Sequence, residues 1–388
     1  MADHVLNTYR RADEVFVRGR GARLWDAEGR EWLDFLGGIA VSALGHDHPR
    51  LTAELRDQVG KLIHVSNLFR HPYTDEVAER VARLSGLSAV FFANSGTEAN
   101  EAALKIARKY QRVAGHAQRT GFVALEGSFH GRTLGALSIT HTAKYREPFE
   151  PLLAGVTFVP VGDERALEEA LSRTQPAALI LEPIQGESGV REVPASFLRH
   201  ARALCSATDT VLIHDEVQCG SGRTGTFLAA EHADVLPDIA TLAKPIAAGL
   251  PMGMAVVSEK LRDVLVPGDH GSTFAGGPLA CRAALVFLQE LEEGGLLARV
   301  KERGAQLKRG LESLQRELPV VLELRGRGLI QGVRLERGVE DLQKDLYRRG
   351  LITNKTGADV LRLLPAYVIE EDEIARGLDI LRAGLRAL

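Results

Sequence analysis

The chain alternates between short apolar runs and stretches whose apolar residues recur every three or four positions. Ala178-Leu179-Ile180-Leu181, Val211-Leu212-Ile213 and Thr241-Leu242-Ala243 are continuous runs of strand length, the pattern of strands buried on both faces of a parallel sheet. Val90 to Ala93, Gly121 to Leu125, Val156 to Val161 and Met254 to Ser258 read the same way, giving about seven strands. Between them, Leu51 to Leu62, Tyr73 to Leu84, Ala99 to Tyr110, Arg165 to Leu171 and Pro194 to Ala207 carry helical spacing. Interleaved strands and helices predict an α/β fold with a mostly parallel or mixed sheet. Ahead of it, Ala22 to Trp25 and Glu31 to Phe35 alternate around the turn residues Asp26 to Gly29, which predicts a hairpin. Beyond Leu291 come charged amphipathic helices (Ala298 to Leu318), strands around Val320 to Leu324 and Leu329 to Leu335, and a closing helix through Ile374, Leu378, Leu381 and Leu385. The expected division is residues 1–50 and 291–388 in a smaller α/β domain contributed by both termini, and 51–290 in a large domain.

Composition narrows the class. With 45% hydrophobic and 26% charged residues, the 388-residue chain is of ordinary globular type and long enough for roughly two domains. A net charge of -3 leaves no broad basic surface for nucleic acid or an anionic membrane. No stretch approaches the ~18 apolar residues of a membrane span, and Met1 to Arg10 lacks the basic and apolar regions of a secretory signal. Cys205, Cys219 and Cys281 form neither a C-x-x-C pair nor an even framework, as expected of thiols in a reducing compartment. A cytoplasmic protein with small-molecule partners is expected.

The candidate chemistry sits where the central strands end. One run leads into Glu182-Pro183-Ile184-Gln185-Gly186-Glu187, the next into Asp215-Glu216-Val217-Gln218, the third into Lys244-Pro245. Ligands of open α/β sheets lie at the carboxyl ends of strands, so Glu187, Asp215 and Lys244 are expected in one crevice. A lysine and a carboxylate under apolar walls suit a Schiff-base lysine with an acid partner for a pyridinium nitrogen. Ser95-Gly96-Thr97 falls at a strand-to-helix junction, where free N–H groups and hydroxyls suit either a phosphate or a plain helix N-cap. In the loop Glu126 to Thr133, Phe129 can cover a flat ring and Arg132 clamp a carboxylate, or Phe129 can be core and Arg132 merely solvated. His46 and His48 resemble half a metal site, but no second ligand cluster completes it, so no metal is expected. Gly220-Ser221-Gly222-Arg223-Thr224-Gly225 matches the dinucleotide-binding glycine pattern. That reading is set aside, because Asp215 to Gln218 separate the glycines from the strand and a buried acid is poorly placed beside a pyrophosphate. No Walker A sequence, nucleophile elbow or H-E-x-x-H is present.

Six stretches, in order, resemble the class III aminotransferases, pyridoxal 5'-phosphate (PLP) enzymes of fold type I that act at ω-amino groups. They are Asn94 to Glu101, Gly127 to Thr133, Glu182 to Glu187, Asp215 to Gln218, Leu242 to Pro245 and His270 to Phe274. The resemblance implies that Lys244 bonds the cofactor as a Schiff base and then serves as general acid and base. Asp215 would pair with the pyridine nitrogen, Gln218 with the phenolic oxygen, and Phe129 and Val217 would cover the two ring faces. Ser95, Gly96 and Thr97 would hold the phosphate, joined by Thr273 of a neighbouring subunit, which implies a homodimer with shared sites. Arg132, with Ser272 nearby, would bind the distal carboxylate of the amino donor, and Arg362 the α-carboxylate of glutamate. Glu187 would neutralise Arg362 and swing aside for glutamate, or remain a static ion pair.

Gly37 to Val41, His64 to Leu68 and Lys144 to Phe149 are similar to family members that use N-acetylornithine, and Ile39 stands where those using free ornithine carry tyrosine. Two departures from the family, Gly277 for asparagine and Cys219 for threonine, remove no catalytic group. The expected reaction converts N-acetylornithine and 2-oxoglutarate to N-acetylglutamate 5-semialdehyde and glutamate, a step of arginine biosynthesis, with N-succinyl-diaminopimelate as a further donor. Ornithine, γ-aminobutyrate and carrier-linked lysine remain as alternative donors, an aminomutase as another activity, and a non-catalytic binding protein as a different class.

Overall fold

The computed structural model describes residues 4–388; residues 1–3, which open the stretch expected to lack a secretory signal, lie outside the described residues. The central sheet has seven strands, in the order Ala89–Ala93, Gly253–Val257, Ile239–Leu242, Val211–Asp215, Ala178–Leu181, Phe122–Leu125, Val156–Val159. The last five are mutually parallel, while Gly253–Val257 runs antiparallel to both of its neighbours. The reason is chain length. Only the segment carrying the Lys244–Ala247 3₁₀ turn joins Ile239–Leu242 to Gly253–Val257, and a parallel crossover needs a dozen residues or more.

Why the central strands lack polar positions is visible in the two layers they feed. Ala178 and Ile180 join Ala124 and Ile213 in one apolar cluster; Leu179 and Leu181 join Val123 and Leu212 in the other. Each fully buried Leu or Ile contributes about 1.5–3 kcal/mol. The Gly96–Val113 helix lies on the first layer through Ala102, Ala103, Leu104, Ile106 and Ala107.

Two smaller sheets draw on both ends of the chain. Phe16–Arg20, Arg23–Asp26 and Glu31–Asp34 form the antiparallel ribbon that includes the expected hairpin, and Leu351–Ile352 adds to it in parallel. Val321–Arg327, Ile330–Leu335, Val360–Leu363 and Asn354–Thr356 make an antiparallel sheet, accompanied by the helices Leu296–Glu317 and Glu371–Leu385. Sequence periodicity misses Leu351–Ile352, Asn354–Thr356 and Val360–Leu363, since two to four residues carry no period of their own. Among the described residues, no helix is long and apolar enough to cross a membrane.

His214 precedes Asp215 on the same strand and so faces the opposite layer. Both of its ring nitrogens are buried without a partner, and burial, reinforced by Arg202, drives its pKa down to about 3. A histidine so depressed is neutral when folded and takes up a proton on unfolding. Its contribution to stability is therefore complete above pH ~6.5 and is lost as pH falls toward about 3. His214→Leu removes that loss. The difference in unfolding free energy between variant and wild type should grow in the variant's favour by about 1.4 kcal/mol per pH unit between about pH 6 and 4. Urea denaturation across that range measures it; a constant difference would contradict the account.

Candidate active site

The carboxyl ends of the parallel strands share one edge of the sheet with the end of Ala89–Ala93 and the start of Gly253–Val257, and a cavity of about 480 Å³ opens there. Its lining gathers Ser95, Gly96, Thr97, Phe129, Arg132, Glu187, Asp215, Val217, Gln218 and Lys244. The other expected residues stand apart from the lining. Ser272 touches it indirectly, its hydroxyl accepting from Asn94 Nδ2 at 2.9 Å. Arg362 is fully buried behind Glu187. Thr273 is exposed on the surface and does not line the cavity.

Asp215 is fixed by three donors. Oδ2 accepts from Asn100 Nδ2 at 2.8 Å and lies 2.7 Å from His130 Nδ1, and Oδ1 accepts from the Val217 N–H at 3.0 Å. Asn100 is itself held, donating to the His130 carbonyl at 2.7 Å and accepting from the Thr241 hydroxyl at 2.8 Å. The carboxylate only accepts, so the His130 tautomer is the one protonated at Nδ1; its Nε2 is buried without a partner.

Lys244 makes no hydrogen bond or ion pair among the described residues. Burial lowers its pKa, opposed by Glu187 and Asp215 and assisted by Arg362. Its backbone is left-handed at φ 43°, a conformation uncommon outside glycine and concentrated at functional sites.

At the Gly96–Val113 helix start, Ser95 Oγ accepts from the Glu98 N–H at 3.3 Å, so the residue is a true N-cap. The N–H groups of Gly96 and Thr97 have no intrahelical acceptor, as at any helix start, and they lie in the cavity wall. The two sequence readings of this junction are therefore compatible: a capped helix start still has free N–H groups of the kind that suit an anion. Gly96 is needed for space, since a Cβ there would stand 2.7 Å from Val217 Cγ1. The Thr97 hydroxyl lies 3.0 Å from that of Thr133, which donates to Glu101 at 2.5 Å. The Thr97 proton is thus directed at Thr133, leaving its backbone N–H for an anion.

The two arginines differ in their surroundings. Arg362 Nη1 contacts Glu187 Oε1 at 2.6 Å, Gln218 Oε1 at 3.0 Å and the Gly186 carbonyl at 3.1 Å, and its Nε donates to Asn354 Oδ1 at 3.1 Å. Its Nη2 is buried with no acceptor. Burial pushes the Glu187 pKa up, but the charge and hydrogen bond of Arg362 outweigh it, so the net shift is downward. Gln218 is more engaged than the sequence suggests: besides Arg362, its Nε2 lies 3.3 Å from Glu187 Oε1. Arg132 is exposed at the cavity wall and carries no ion pair or hydrogen bond among the described residues. Ile39 adopts φ 63°, a left-handed conformation that is strained for a β-branched residue.

Sequence reasoning missed four supporting residues: Asn100, His130, Glu182 and Thr241. Glu182 is buried and accepts from the Phe129 N–H at 2.9 Å; burial first, then Asp215, raises its pKa well above the usual carboxylate value. Asn100 had a usable signal, a polar residue on the alanine face of a buried helix. The glycines at Gly220 to Gly225 lie in turns ahead of the Ala229–Ala233 3₁₀ helix, not at a strand-to-helix junction. Arg223 there is fully buried, donating to the carbonyls of Leu329 and Pro365. His46 Nε2 lies 3.2 Å from Asp34, and His48 caps the Pro49–Val59 helix.

A capped helix start with free N–H groups, a seated carboxylate and a lysine unpaired among the described residues thus line one cavity at the edge of a mixed sheet, with Arg132 in its wall and Arg362 behind Glu187. A family model described as "Aminotransferase class-III" matches residues 7–385, and the chain belongs to that family. It is 44% identical to the acetylornithine aminotransferase of Caldanaerobacter subterraneus subsp. tengcongensis over 97% of this chain and 96% of that protein. Among solved structures, it matches N-acetylornithine aminotransferase from Stenotrophomonas maltophilia K279a with a TM-score of 0.86 and 37% identity, covering 98% and 97% of the two chains. It also matches an ornithine aminotransferase from Toxoplasma gondii, described with partial occupancy of PLP at its active site, with a TM-score of 0.94 and 35% identity over 99% and 92%.

Asn100→Leu removes one donor from Asp215 and strands the Thr241 hydroxyl and the His130 carbonyl. A loss of about 2 kcal/mol is expected from the denaturant midpoint; a loss under about 0.5 kcal/mol would show that the network carries no weight.

Proposed function

We propose that the protein is a PLP-dependent enzyme that transfers the distal amino group of N-acetylornithine to 2-oxoglutarate, yielding N-acetylglutamate 5-semialdehyde and glutamate, with N-succinyl-diaminopimelate as a related donor. The observation that carries this reading is the pair of arginines around Lys244, one open to solvent and one covered by Glu187. Support comes also from the acetylornithine aminotransferase relative. Ile39, in place of the tyrosine of ornithine users, argues against free ornithine.

The residues present fit PLP: Lys244 is unpaired, Asp215 is seated in the cavity wall, and the free N–H groups of Gly96 and Thr97 suit a phosphate. When bound, PLP supplies a carbonyl that condenses with amines and a ring that accepts electrons. Lys244 would hold it covalently, Asp215 would face the ring nitrogen, and Phe129 and Val217 would cover its faces. Gln218 retains one amide hydrogen for the phenolic oxygen. Lowered by burial, Lys244 Nζ can take a proton from the substrate carbon and return one. Arg132 receives the carboxylate that lies far from the reacting amine. Arg362, with Nη2 unsatisfied, receives the α-carboxylate of glutamate once Glu187 leaves it. While an acylated donor occupies the site, Glu187 keeps that buried cation paired, which spares an uncompensated charge.

A homodimer with shared sites is part of this reading. Thr273 lies outside the cavity of its own chain, and Phe274, Leu68 and Phe69 are exposed. Placement of residues 1–50 and 291–388 in one smaller domain is supported by the pairing of Leu351–Ile352 with Glu31–Asp34. Unpaired Cys205, Cys219 and Cys281 support a reducing compartment such as the cytoplasm.

Mixing the yellow protein with single amino donors, without keto acid, tests the function. Its visible band should bleach with N-acetylornithine and, if at all, with the succinyl donor, but slowly with ornithine or γ-aminobutyrate. Preference for either of those would move the enzyme to another donor. Lys244→Ala should lose both turnover and the band, and retained turnover would overturn the assignment. Arg132→Ala should raise KM for N-acetylornithine about 10- to 100-fold, far more than for glutamate; equal losses would refute separate carboxylate sites.

A further inference from the structure

Arg132 is held by ring faces alone. Its guanidinium carbon stands 3.7 Å from the centroid of Tyr145 and 5.4 Å from that of Phe129. The two rings meet edge to face, with centroids 6.3 Å apart and planes at 83°. No carboxylate, amide or carbonyl touches Arg132 among the described residues, in contrast to the four polar partners of Arg362. A guanidinium held in this way keeps all five N–H donors for an incoming anion, and the contact also orients its plane. An exposed arginine otherwise spreads over many rotamers and loses that freedom when it binds.

Tyr145 lies outside the cavity lining, on the short Ala143–Arg146 helix, anchored by its N–H to the Thr142 carbonyl at 3.0 Å. Its hydroxyl makes no hydrogen bond among the described residues, so the ring face, and not the oxygen, meets the arginine. We infer that Tyr145 is a positioning residue: it sets the plane of Arg132 and thereby favours amino donors whose only carboxylate is remote from the reacting amine. This inference rests on the proposed function, in which Arg132 receives that carboxylate. Through Phe129, the same aromatic pair ties the wall of the cofactor cavity to the donor-binding cation.

The test compares wild type, Tyr145→Phe and Tyr145→Leu in the holoenzyme. KM and kcat are measured for N-acetylornithine, for its decarboxylated counterpart N-acetylputrescine, and for glutamate. Affinity for N-acetylnorvaline, which keeps the carboxylate but lacks the reacting amine, is measured by calorimetry. Tyr145→Leu should raise KM for N-acetylornithine and weaken N-acetylnorvaline by the same roughly three- to tenfold, with kcat within about twofold. Values for N-acetylputrescine should stay near wild type, glutamate, whose α-carboxylate is assigned to Arg362, should lose clearly less than N-acetylornithine, and Tyr145→Phe should match wild type throughout. The inference is overturned if Tyr145→Leu binds N-acetylnorvaline as wild type does, if Tyr145→Phe loses as much as Tyr145→Leu, or if glutamate suffers equally. A wild-type enzyme that ignores N-acetylornithine would instead overturn the proposed function, and the inference with it.

Discussion

Everything at this site depends on seating a carboxylate where water is scarce. Asp215 ends a strand whose other residues are all buried, and an acid in that position needs donors from several elements at once. It receives them from the Gly96–Val113 helix through Asn100, from the Phe129 loop through His130, and from its own turn through Val217. The elements that bear Ser95 to Thr97 and Phe129 are thereby locked to the same carboxylate. Thr241, on the next strand, closes the network and lies just ahead of Lys244. Acid, lysine, helix start and aromatic wall share one framework, so their relative geometry is set before any ligand arrives.

Charge management separates the two arginines. A fully buried arginine is tolerable only when its charge is answered, and Glu187 answers Arg362 while leaving Nη2 unsatisfied. An arginine at the surface needs no counter-ion, and Arg132 rests on aromatic faces with its donors unused. One cation is thus paired behind a carboxylate and the other is exposed with its donors unpaired among the described residues. This division suits an enzyme that must accept, in turn, a donor reacting at its far amine and one reacting at its α-amine.

Much of the candidate site was legible in the chain because its residues end strands. Glu187, Asp215 and Lys244 each follow an apolar run, and parallel strands bring such ends to one edge without further information. Ser95 to Thr97 were legible as a junction, and the structure shows the cap, with free N–H groups beside it that suit an anion. Arg362 was reached only through family resemblance, since its four-residue strand has no periodicity to read. Asn100, His130, Glu182 and Tyr145 were passed over because their importance lies in what they touch, across separations that no local pattern encodes.

By itself, then, the sequence determined the alternation of strand and helix, the burial of the central runs, and the chemical identities waiting at their ends. Those follow from local periodicity and from the unwillingness of apolar runs to meet water. Tertiary structure alone decided that the Gly253–Val257 strand turns antiparallel, that Glu187 covers Arg362 while Arg132 stays open, and that the Tyr145 ring lies beneath the Arg132 guanidinium. Each of these depends on connection length or on side chains meeting from distant segments, and such contacts exist only once the backbone has been folded to bring them together.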